Sequence, residues 1–485
     1  MPTKRCTATR QTARVNATFG EMKKYMKHIT RRQFLAGSAI LAGSAMLPHS
    51  LFAEDPDSER PNIILCMTDD QGWGDTGYNK HPLLRTPHLD QMAKDGIRFD
   101  RFYSGAPVCS PTRGSCITGR HPYRYGIPYA NTGHMKKEEI TLAEALKTQG
   151  YATGHFGKWH LGTLTTKIKD ANRGQPGNKS HYSPPWQNGF DEAFSTESKV
   201  PTYWKQGAYE KYGTHYWTGP EEMVPASEIS GDDSKLIMDR ALLFIRKASK
   251  QKTPFLTVIW FHAPHLPVVS APPYTDGYSE HKDYYGCITA MDEQMGRLRK
   301  ELQRLGVADN TMLWFCSDNG PEGKSSAPGR TKGLRGRKRS LYEGGVRVPG
   351  LLVWPQMIKK SRVVAMPCST SDYFPTVLDA LGYQLPEAKT RPYDGVSLLP
   401  LIKGEIDQRP RPIAFESKGQ VSLTDNQYKI YSTNEGRTYE LYDLLADQGE
   451  TTNIADNHPE MVKTMQNTLE EWRSSCKDSA NGKDY

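Results

Sequence analysis

Pro61-Asn62-Ile63-Ile64-Leu65-Cys66-Met67 is a continuous apolar run, and Thr68-Asp69-Asp70-Gln71-Gly72-Trp73-Gly74 follows it without a break. A short apolar run bounded by polar residues reads as a strand buried on both faces, as in a parallel sheet. The pattern recurs along the chain. Residues 151–156 read as a strand that ends in Gly157-Lys158-Trp159-His160-Leu161-Gly162. Residues 254–261 are strongly apolar and end in His262-Ala263-Pro264-His265, and residues 311–317 end in Asp318-Asn319-Gly320. Between them lie helical patterns over 86–96, 141–150, 233–249, 284–305 and 370–381, several closed by glycine. Strand and helix alternate from 61 to about 400, which predicts an α/β fold with a large, mainly parallel sheet and helices on both faces. Beyond Pro410 the pattern changes to short segments at 420–423, 427–432 and 438–443, then a helix over 459–476. These predict a small C-terminal α+β piece with antiparallel strands. The expected division is a main domain over 61–405 and a C-terminal subdomain over 406–485.

The chain has 485 residues and a formal charge of +9. That charge sits at one end: residues 1–53 hold nine Lys/Arg and one acid, Glu21, which leaves the rest near +1. A nucleic-acid partner is therefore not implied. Thr30-Arg31-Arg32-Gln33-Phe34-Leu35 is a twin-arginine signature, followed by a mild apolar run to Leu47 and by Ser50-Leu51-Phe52-Ala53. The run is shorter than the roughly 20 residues a spanning helix needs. The expectation is an export signal over 1–53, a linker over 54–60, carriage by the twin-arginine translocase, a periplasmic or secreted location and no stable membrane anchor. Residues ahead of Met22 fit such a signal poorly, so Met22 or Met26 is the expected start. The eight cysteines include no CxxC pair, which argues against a zinc ribbon, and their spacing dictates no disulfide pairing.

Sites in open α/β sheets form at the carboxyl ends of strands. Asp69 and Asp70 at one such end repel each other unless a cation is near, although Asp and Gly are also ordinary turn residues. Asp318 and Asn319, about 250 residues later at a second strand end, break that tie. Together the four supply hard oxygen ligands suited to Ca²⁺ or Mg²⁺, and no histidine joins them, which argues against zinc. Cys109-Ser110-Pro111-Thr112-Arg113-Gly114-Ser115-Cys116-Ile117-Thr118-Gly119-Arg120 reads as a loop entering a helix. Pro111 fits the first turn, which would set Cys109 just before a helix N-terminus, where N–H groups favour negative charge. A buried structural thiol is the plainer alternative. Lys158 and His160, bracketed by glycines, are placed to meet an anion. The loop Gly333-Leu334-Arg335-Gly336-Arg337-Lys338-Arg339-Ser340 is dense in cations, which is either a solvated face or one wall of an anion pocket. Residues 163–225 are polar and studded with Tyr182, Trp186, Tyr203, Trp204, Tyr209, Tyr212, Tyr216 and Trp217. They are expected to form a substrate-binding excursion, with a packing role as the alternative.

Taken in order, these motifs resemble the type I formylglycine-dependent sulfatases of the alkaline-phosphatase superfamily. The matching residues are Asp69-Asp70, Cys109-Ser-Pro-Thr-Arg113 with Thr118-Gly119-Arg120, Gly157-Lys158-Trp-His160, His265 in Ala-Pro-His, Asp318-Asn319-Gly, and Lys338 ahead of Tyr-Glu-Gly-Gly. The match spans roughly 61–355 and is similar to bacterial relatives of the N-acetylgalactosamine-6-sulfatase and arylsulfatase A group. The resemblance implies that a formylglycine-generating maturation enzyme oxidises Cys109 to formylglycine, whose hydrate attacks sulfur and then expels sulfate by re-forming the aldehyde. It implies one Ca²⁺ held by Asp69, Asp70, residue 109, Asp318 and Asn319. Arg113 would steady the formylglycine, and Lys158 and Lys338 would neutralise sulfate oxygens. His160 would act as base on the formylglycine hydroxyl, and His265 would protonate the leaving oxygen. The expected substrate is a sulfated polysaccharide or oligosaccharide.

Gly114-Ser115-Cys116 departs from the small apolar residues the family often has there, and Cys116 is expected to be a core thiol. His262 is a less certain neighbour of the site, and Arg337 and Arg339 are either substrate contacts or solvated. Two rival readings remain in view. One is a phosphatase or phosphodiesterase of the same superfamily, which would use Ser or Thr and histidine-rich zinc ligands. The other is a non-catalytic relative that binds sulfated glycans.

Overall fold

The computed structural model describes residues 60–205, 209–386 and 391–485. The twin-arginine signature, the start at Met22 or Met26 and nearly all of the linker lie outside the described residues. Those described belong to one compact unit, Glu59–Tyr485. Among them, no helix is long and apolar enough to cross a membrane.

Ten strands form the main sheet. In chain order they are β1 (Asn62–Thr68), β2 (Ile97–Phe99), β3 (Ala152–Lys158), β4 (Glu192–Thr196), β5 (Trp217–Gly219), β6 (Glu222–Met223), β7 (Phe255–Trp260), β8 (Thr311–Ser317), β9 (Gly350–Val353) and β10 (Arg362–Val364). Their order across the sheet is β10-β2-β9-β8-β1-β7-β3-β4-β5-β6. The central run β8-β1-β7-β3-β4 is parallel throughout. Antiparallel pairings enter only where β9 joins β8 and β2, and where β5 and β6 close the other edge.

The central strands are continuous apolar runs because each must fill two cores. Ile63, Leu65 and Met67 face one core, and Ile64 and Cys66 face the other. Val258 and Trp260 oppose Ile259 in the same way, as Trp314 and Cys316 oppose Phe315. This is the two-residue period of a strand expressed on both faces. The first core is covered by α2 (Cys109–Thr118), α3 (Leu142–Lys147) and α6 (Tyr373–Ala380). The second is covered by α1 (Pro87–Asp95), α4 (Asp233–Lys250) and α5 (Lys282–Arg304). Burying each large apolar side chain is worth about 1.5–3 kcal/mol. Trp314, fully buried, stacks on Phe99 at 5.6 Å between ring centroids.

The register brings the site residues level. Thr68 lies opposite Ser317, Met67 opposite Trp260, Trp260 opposite Gly157, and Lys158 opposite Thr196. The residues that follow these strands therefore emerge at one edge of the sheet, where neighbouring strands lie about 5 Å apart.

The C-terminal part is a separate antiparallel sheet, β11 (Ile413–Ser417), β12 (Gln420–Thr424), β13 (Tyr428–Ser432) and β14 (Glu440–Asp443), covered by α7 (Pro459–Ala480). The sequence did not reveal β11, whose alternation of buried and half-buried residues is short. The turn between β11 and β12 puts Lys418 (φ 46°) and Gly419 (φ 77°) in the left-handed region, as a tight hairpin requires. This sheet supports the loop that carries Lys338. Gln420 donates through Nε2 to the Arg339 carbonyl at 2.8 Å and accepts from the Leu341 N–H at 3.1 Å. Lys429, fully buried on β13, pairs with Glu343 at 3.0 Å and Glu450 at 2.9 Å.

Two expectations need correction. The helix after the Cys109 loop starts at Cys109 itself, with Val108 as its N-cap, so Cys109 is its first residue and not the one before it. The aromatics of 163–225 mostly pack: Trp204, Tyr209, Tyr216 and Trp217 are buried in the two cores. Stacking among themselves and on the sheet, as in the Phe194–Tyr216 pair at 4.1 Å, takes up their faces.

Candidate active site

Helix α2 is buried along its whole length, which is unusual for a segment with so little apolar surface. Polar ties hold it instead. Thr112 Oγ1 donates to the Ala106 carbonyl at 3.0 Å and accepts from the Ala106 N–H at 3.1 Å, and the Tyr125 hydroxyl donates to the Pro111 carbonyl. Gly114 permits this: a Cβ there would stand 2.6 Å from the Tyr125 ring. Cys116 lies fully buried in the first core, as expected of a packing thiol. All seven described cysteines are free.

One turn after Cys109, Arg113 is wholly shielded from solvent. Its guanidinium reaches Asp318 Oδ2 at 2.6 Å and Asp69 Oδ2 at 3.2 Å, donates to the Lys158 carbonyl at 3.1 Å, and lies 5.3 Å from the Trp260 ring centroid. One side chain thus joins α2 to the ends of β1, β8, β3 and β7. Lys158 Nζ donates to Asp69 Oδ2 at 2.5 Å, and Lys338 Nζ donates to Asp70 Oδ1. Asp318 Oδ1 accepts from the Asp70 N–H at 3.2 Å, and Asn319 Nδ2 donates to Asp70 Oδ1 at 2.7 Å.

Three oxygens of this cluster are buried without a hydrogen-bond partner: Asp69 Oδ1, Asp70 Oδ2 and Asn319 Oδ1. Orphaned buried oxygens are costly unless something positive meets them. Ligand atoms of Asp69, Cys109 and Asp318 lie within 4.8 Å of one another. The donor set is rich in oxygen and fits a hard cation such as Ca²⁺. Against the sequence-based expectation, a histidine does stand beside the set: His265, Asp69 and Asp70 offer ligand atoms within 4.8 Å of one another.

The electrostatics follow from burial and pairing. Burial pushes the Asp69 carboxyl up, but Lys158, His265, Arg113 and Lys338 together hold it well below the usual range. Asp318 is pushed up to about 7, first by burial and then by the Asp69 charge. Burial disfavours the Lys338 ammonium, yet Asp70 and its neighbours hold it above the ordinary lysine range. Burial pushes the Cys109 thiol up, against the pull of Lys158 and Lys338. His265 is lowered to about 4 by burial, with Lys158 and Lys338 adding to that and Asp69 and Asp70 opposing it.

Cys109, Lys158, His160, His265 and Lys338 share a cleft of about 520 Å³ with Asp70. His265 Nδ1 faces the Leu266 carbonyl at 2.6 Å, and its Nε2 lies 3.8 Å from Asp70 Oδ2. Asp70 (φ 68°) and His160 (φ 61°) both take left-handed backbone conformations, which cost on the order of 1–3 kcal/mol each and concentrate at functional sites. His262 stays out of the cleft, buried between Asp233 at 2.8 Å and Thr196 at 2.9 Å. Arg337 ties the Gly329 and Glu322 carbonyls, whereas Arg339 lines the cleft and pairs with both carboxylate oxygens of Glu322, at 2.6 and 2.8 Å.

Sequence reading missed Tyr129, Asn131, Asn172, Ser198, Lys199 and Glu322, which also line the cleft. Glu322 follows Asp318-Asn319-Gly320-Pro321 closely enough to be suspected. The others are isolated polar residues or a lone aromatic in loops, with no spacing to mark them. The 163–225 excursion does reach the site, but through Asn172, Ser198 and Lys199 and not through its aromatics.

Removing one partner of a buried charge cluster leaves the others uncompensated. Arg113→Met is expected to lower the free energy of unfolding by about 3–5 kcal/mol, read from the urea midpoint at unchanged slope. A loss below about 1 kcal/mol, the range of an exposed pair, would contradict this role.

A family model described as Sulfatase matches residues 61–383, and one described as N-sulphoglucosamine sulphohydrolase, C-terminal, matches 336–475. The chain is 31% identical over 444 residues to N-acetylgalactosamine-6-sulfatase of Mus musculus, covering 83% of this chain and 79% of that protein. It is 30% identical over 438 residues to steryl-sulfatase of Mus musculus, covering 74% and 68%. The crystal structure of Ps i-CgsB in complex with k-i-k-neocarrahexaose superposes with a TM-score of 0.75 at 26% identity, covering 86% of this chain and 93% of that one. With this sheet, this cleft and these relatives, the chain belongs to the sulfatase family and is a sulfuric ester hydrolase.

Proposed function

We propose that the chain removes sulfate from a sulfated polysaccharide or oligosaccharide, using formylglycine made from Cys109 and one Ca²⁺ held by Asp69, Asp70, residue 109, Asp318 and Asn319. The observation that carries this reading is the position of Cys109. It opens a buried helix, within 4.8 Å of the Asp69 and Asp318 oxygens, in one cleft with Lys158, His160, His265 and Lys338. Burial favours the neutral thiol there, so an unmodified cysteine would be a weak nucleophile. When present, formylglycine supplies a hydrated aldehyde that attacks sulfur and releases sulfate by elimination, and Ca²⁺ lowers the cost of the charge that gathers on the sulfate oxygens.

The remaining work falls to side chains. Asp69, Asp70 and Asp318 are balanced by Arg113, Lys158 and Lys338. A divalent cation therefore leaves the cleft net positive, and the single negative charge of a sulfate ester offsets part of that excess. Lys158 and Lys338 line that cleft and hold sulfate oxygens. His160 takes the proton from the attacking hydroxyl. His265 gives one to the leaving oxygen, and an anionic ester bound beside its ring favours the protonated form that this requires. Arg113 keeps residue 109 and the carboxylates in register. A glycan is favoured over a steroid because the cleft rim includes Asn172, Ser198, Lys199 and Arg339, groups that hydrogen-bond hydroxyls and meet anions. Among the relatives, N-acetylgalactosamine-6-sulfatase is named for a sulfated sugar, and Ps i-CgsB is solved with a neocarrahexaose. We assign catalysis to 61–405, support of the Lys338 loop to the subdomain at 406–485, and export through the twin-arginine translocase to Arg31-Arg32. A formylglycine-generating enzyme is the maturation partner.

Cys109→Ala is expected to cut kcat on a sulfated saccharide by about 10⁴-fold or more while the melting temperature holds, and Cys116→Ala to retain turnover. A desulfation screen on defined sulfated saccharides, with aryl sulfates and phosphate monoesters alongside, tests the substrate class. Activity confined to aryl sulfates would sink the glycan assignment, and preference for the phosphates would sink the sulfatase reading. Calcium has its own readout. At about 100 times its dissociation constant it should add about 2.7 kcal/mol to unfolding, and Asp318→Asn should remove most of that gain. An unshifted melting midpoint in calcium would count against the metal.

A further inference from the structure

We propose that Asn131 is a positioning residue that fixes His160 as the tautomer with its hydrogen on Nε2, leaving Nδ1 as the base. The inference rests on the sulfatase reading for the use of that base, but not for the tautomer. His160 Nε2 lies 2.8 Å from Asn131 Oδ1. That oxygen is identified by a second donor: Asn172 Nδ2 donates to it at 2.9 Å and to Ser198 Oγ at 2.9 Å. Turning the Asn131 amide over would set its own N–H groups against the Asn172 donor. An amide oxygen only accepts, so Nε2 carries the hydrogen and the neutral ring presents its lone pair at Nδ1.

Nδ1 is buried and has no hydrogen-bond partner, on a residue 3% exposed that lines the cleft with Cys109, Lys158 and Lys338. An unpartnered acceptor in that position is costly unless a ligand or reacting group meets it. Burial, with Lys158, Arg173 and Arg113 nearby, holds His160 well below the usual histidine range, so the lone pair is available at neutral pH. The step balances simply. A proton passes from a hydroxyl at residue 109 to Nδ1, the O–H electron pair stays on oxygen, and the resulting imidazolium is stabilised by the Asn131 carbonyl dipole at Nε2–H.

The turn around Asn131 supplies a clean test. The Thr132 N–H donates to the Tyr129 carbonyl at 3.1 Å, and Asn131 takes φ 61° at the third position. Glycine suits that position as well as asparagine does. Asn131→Gly therefore keeps the turn and removes only the amide, and Asn131→Asp keeps an oxygen acceptor. Long-range ¹⁵N–¹H correlation on histidine-labelled protein reads the tautomer directly, with His160→Gln to assign the resonance. The expected result is Nε2–H in the unsubstituted protein and in Asn131→Asp, and a mixed population in Asn131→Gly. On a sulfate ester, Asn131→Gly should lower kcat roughly 10–100-fold with KM within about twofold. An Nδ1–H tautomer in the unsubstituted protein, or unchanged kcat in Asn131→Gly, would overturn the proposal. Absence of sulfate-ester turnover with the Nε2–H tautomer intact would overturn the sulfatase reading and leave the tautomer assignment standing.

Discussion

The guanidinium of Arg113 is the tie on which the site depends. It is buried completely and bonds at once to Asp318, Asp69 and the Lys158 carbonyl, while its face rests on Trp260. Each partner stands at the end of a different central strand, and Arg113 itself comes from the helix that Cys109 opens. Without that cation, three carboxylates would crowd into a dry volume and repel one another. With it, strand ends distant in sequence and the helix bearing Cys109 are held in one geometry. The sheet makes this possible by keeping the ends of β1, β3, β7 and β8 in near register, so that short side chains span the gaps.

A second consequence is a site whose charges cancel among themselves but leave oxygens without partners. Asp69 Oδ1, Asp70 Oδ2 and Asn319 Oδ1 keep unused lone pairs, and Lys158 and Lys338 bond to carboxylates at the wall of the cleft. Such an arrangement is poorly explained as packing, since buried polar groups left unmatched weaken a fold. It is well explained as a receptor for a cation and an anion together. The C-terminal sheet takes part by bracing the loop that carries Lys338, through Gln420 on the Arg339 and Leu341 backbone and through Lys429 on Glu343.

The fold was largely legible in the sequence because its central strands satisfy one strong constraint. A parallel strand with cores on both sides must be apolar at successive positions, and 62–68, 255–260 and 311–317 stand out from their polar flanks. Asp69, Asp70, Asp318 and Asn319 were legible for the same reason, since they directly follow such runs, whereas Lys158 and His265 were legible from glycine- or proline-flanked motifs at or shortly after a strand end. Residues that reach the cleft from loops were not. Asn131 sits in a turn where asparagine is unremarkable, and only the distances to His160 and Asn172 reveal its use. The aromatics of 163–225 misled because an aromatic ring serves stacking on a ligand and stacking in a core equally well. Burial alone separates the two, and Trp204 and Tyr216 are buried. The strand at 413–417 escaped notice because its half-buried residues look like loop sequence until a partner strand is paired with it.

Every step of the account passes through residue 109 as an aldehyde and not a thiol. Peptide mass spectrometry of the segment Val108–Arg113, from protein produced in its native host, tests that most directly. The account predicts the aldehyde mass at residue 109, capture of that peptide by a hydrazide, and loss of both in Arg113→Lys or Pro111→Ala if the motif guides maturation. An unmodified thiol at residue 109 in protein that desulfates a saccharide at full rate would contradict it.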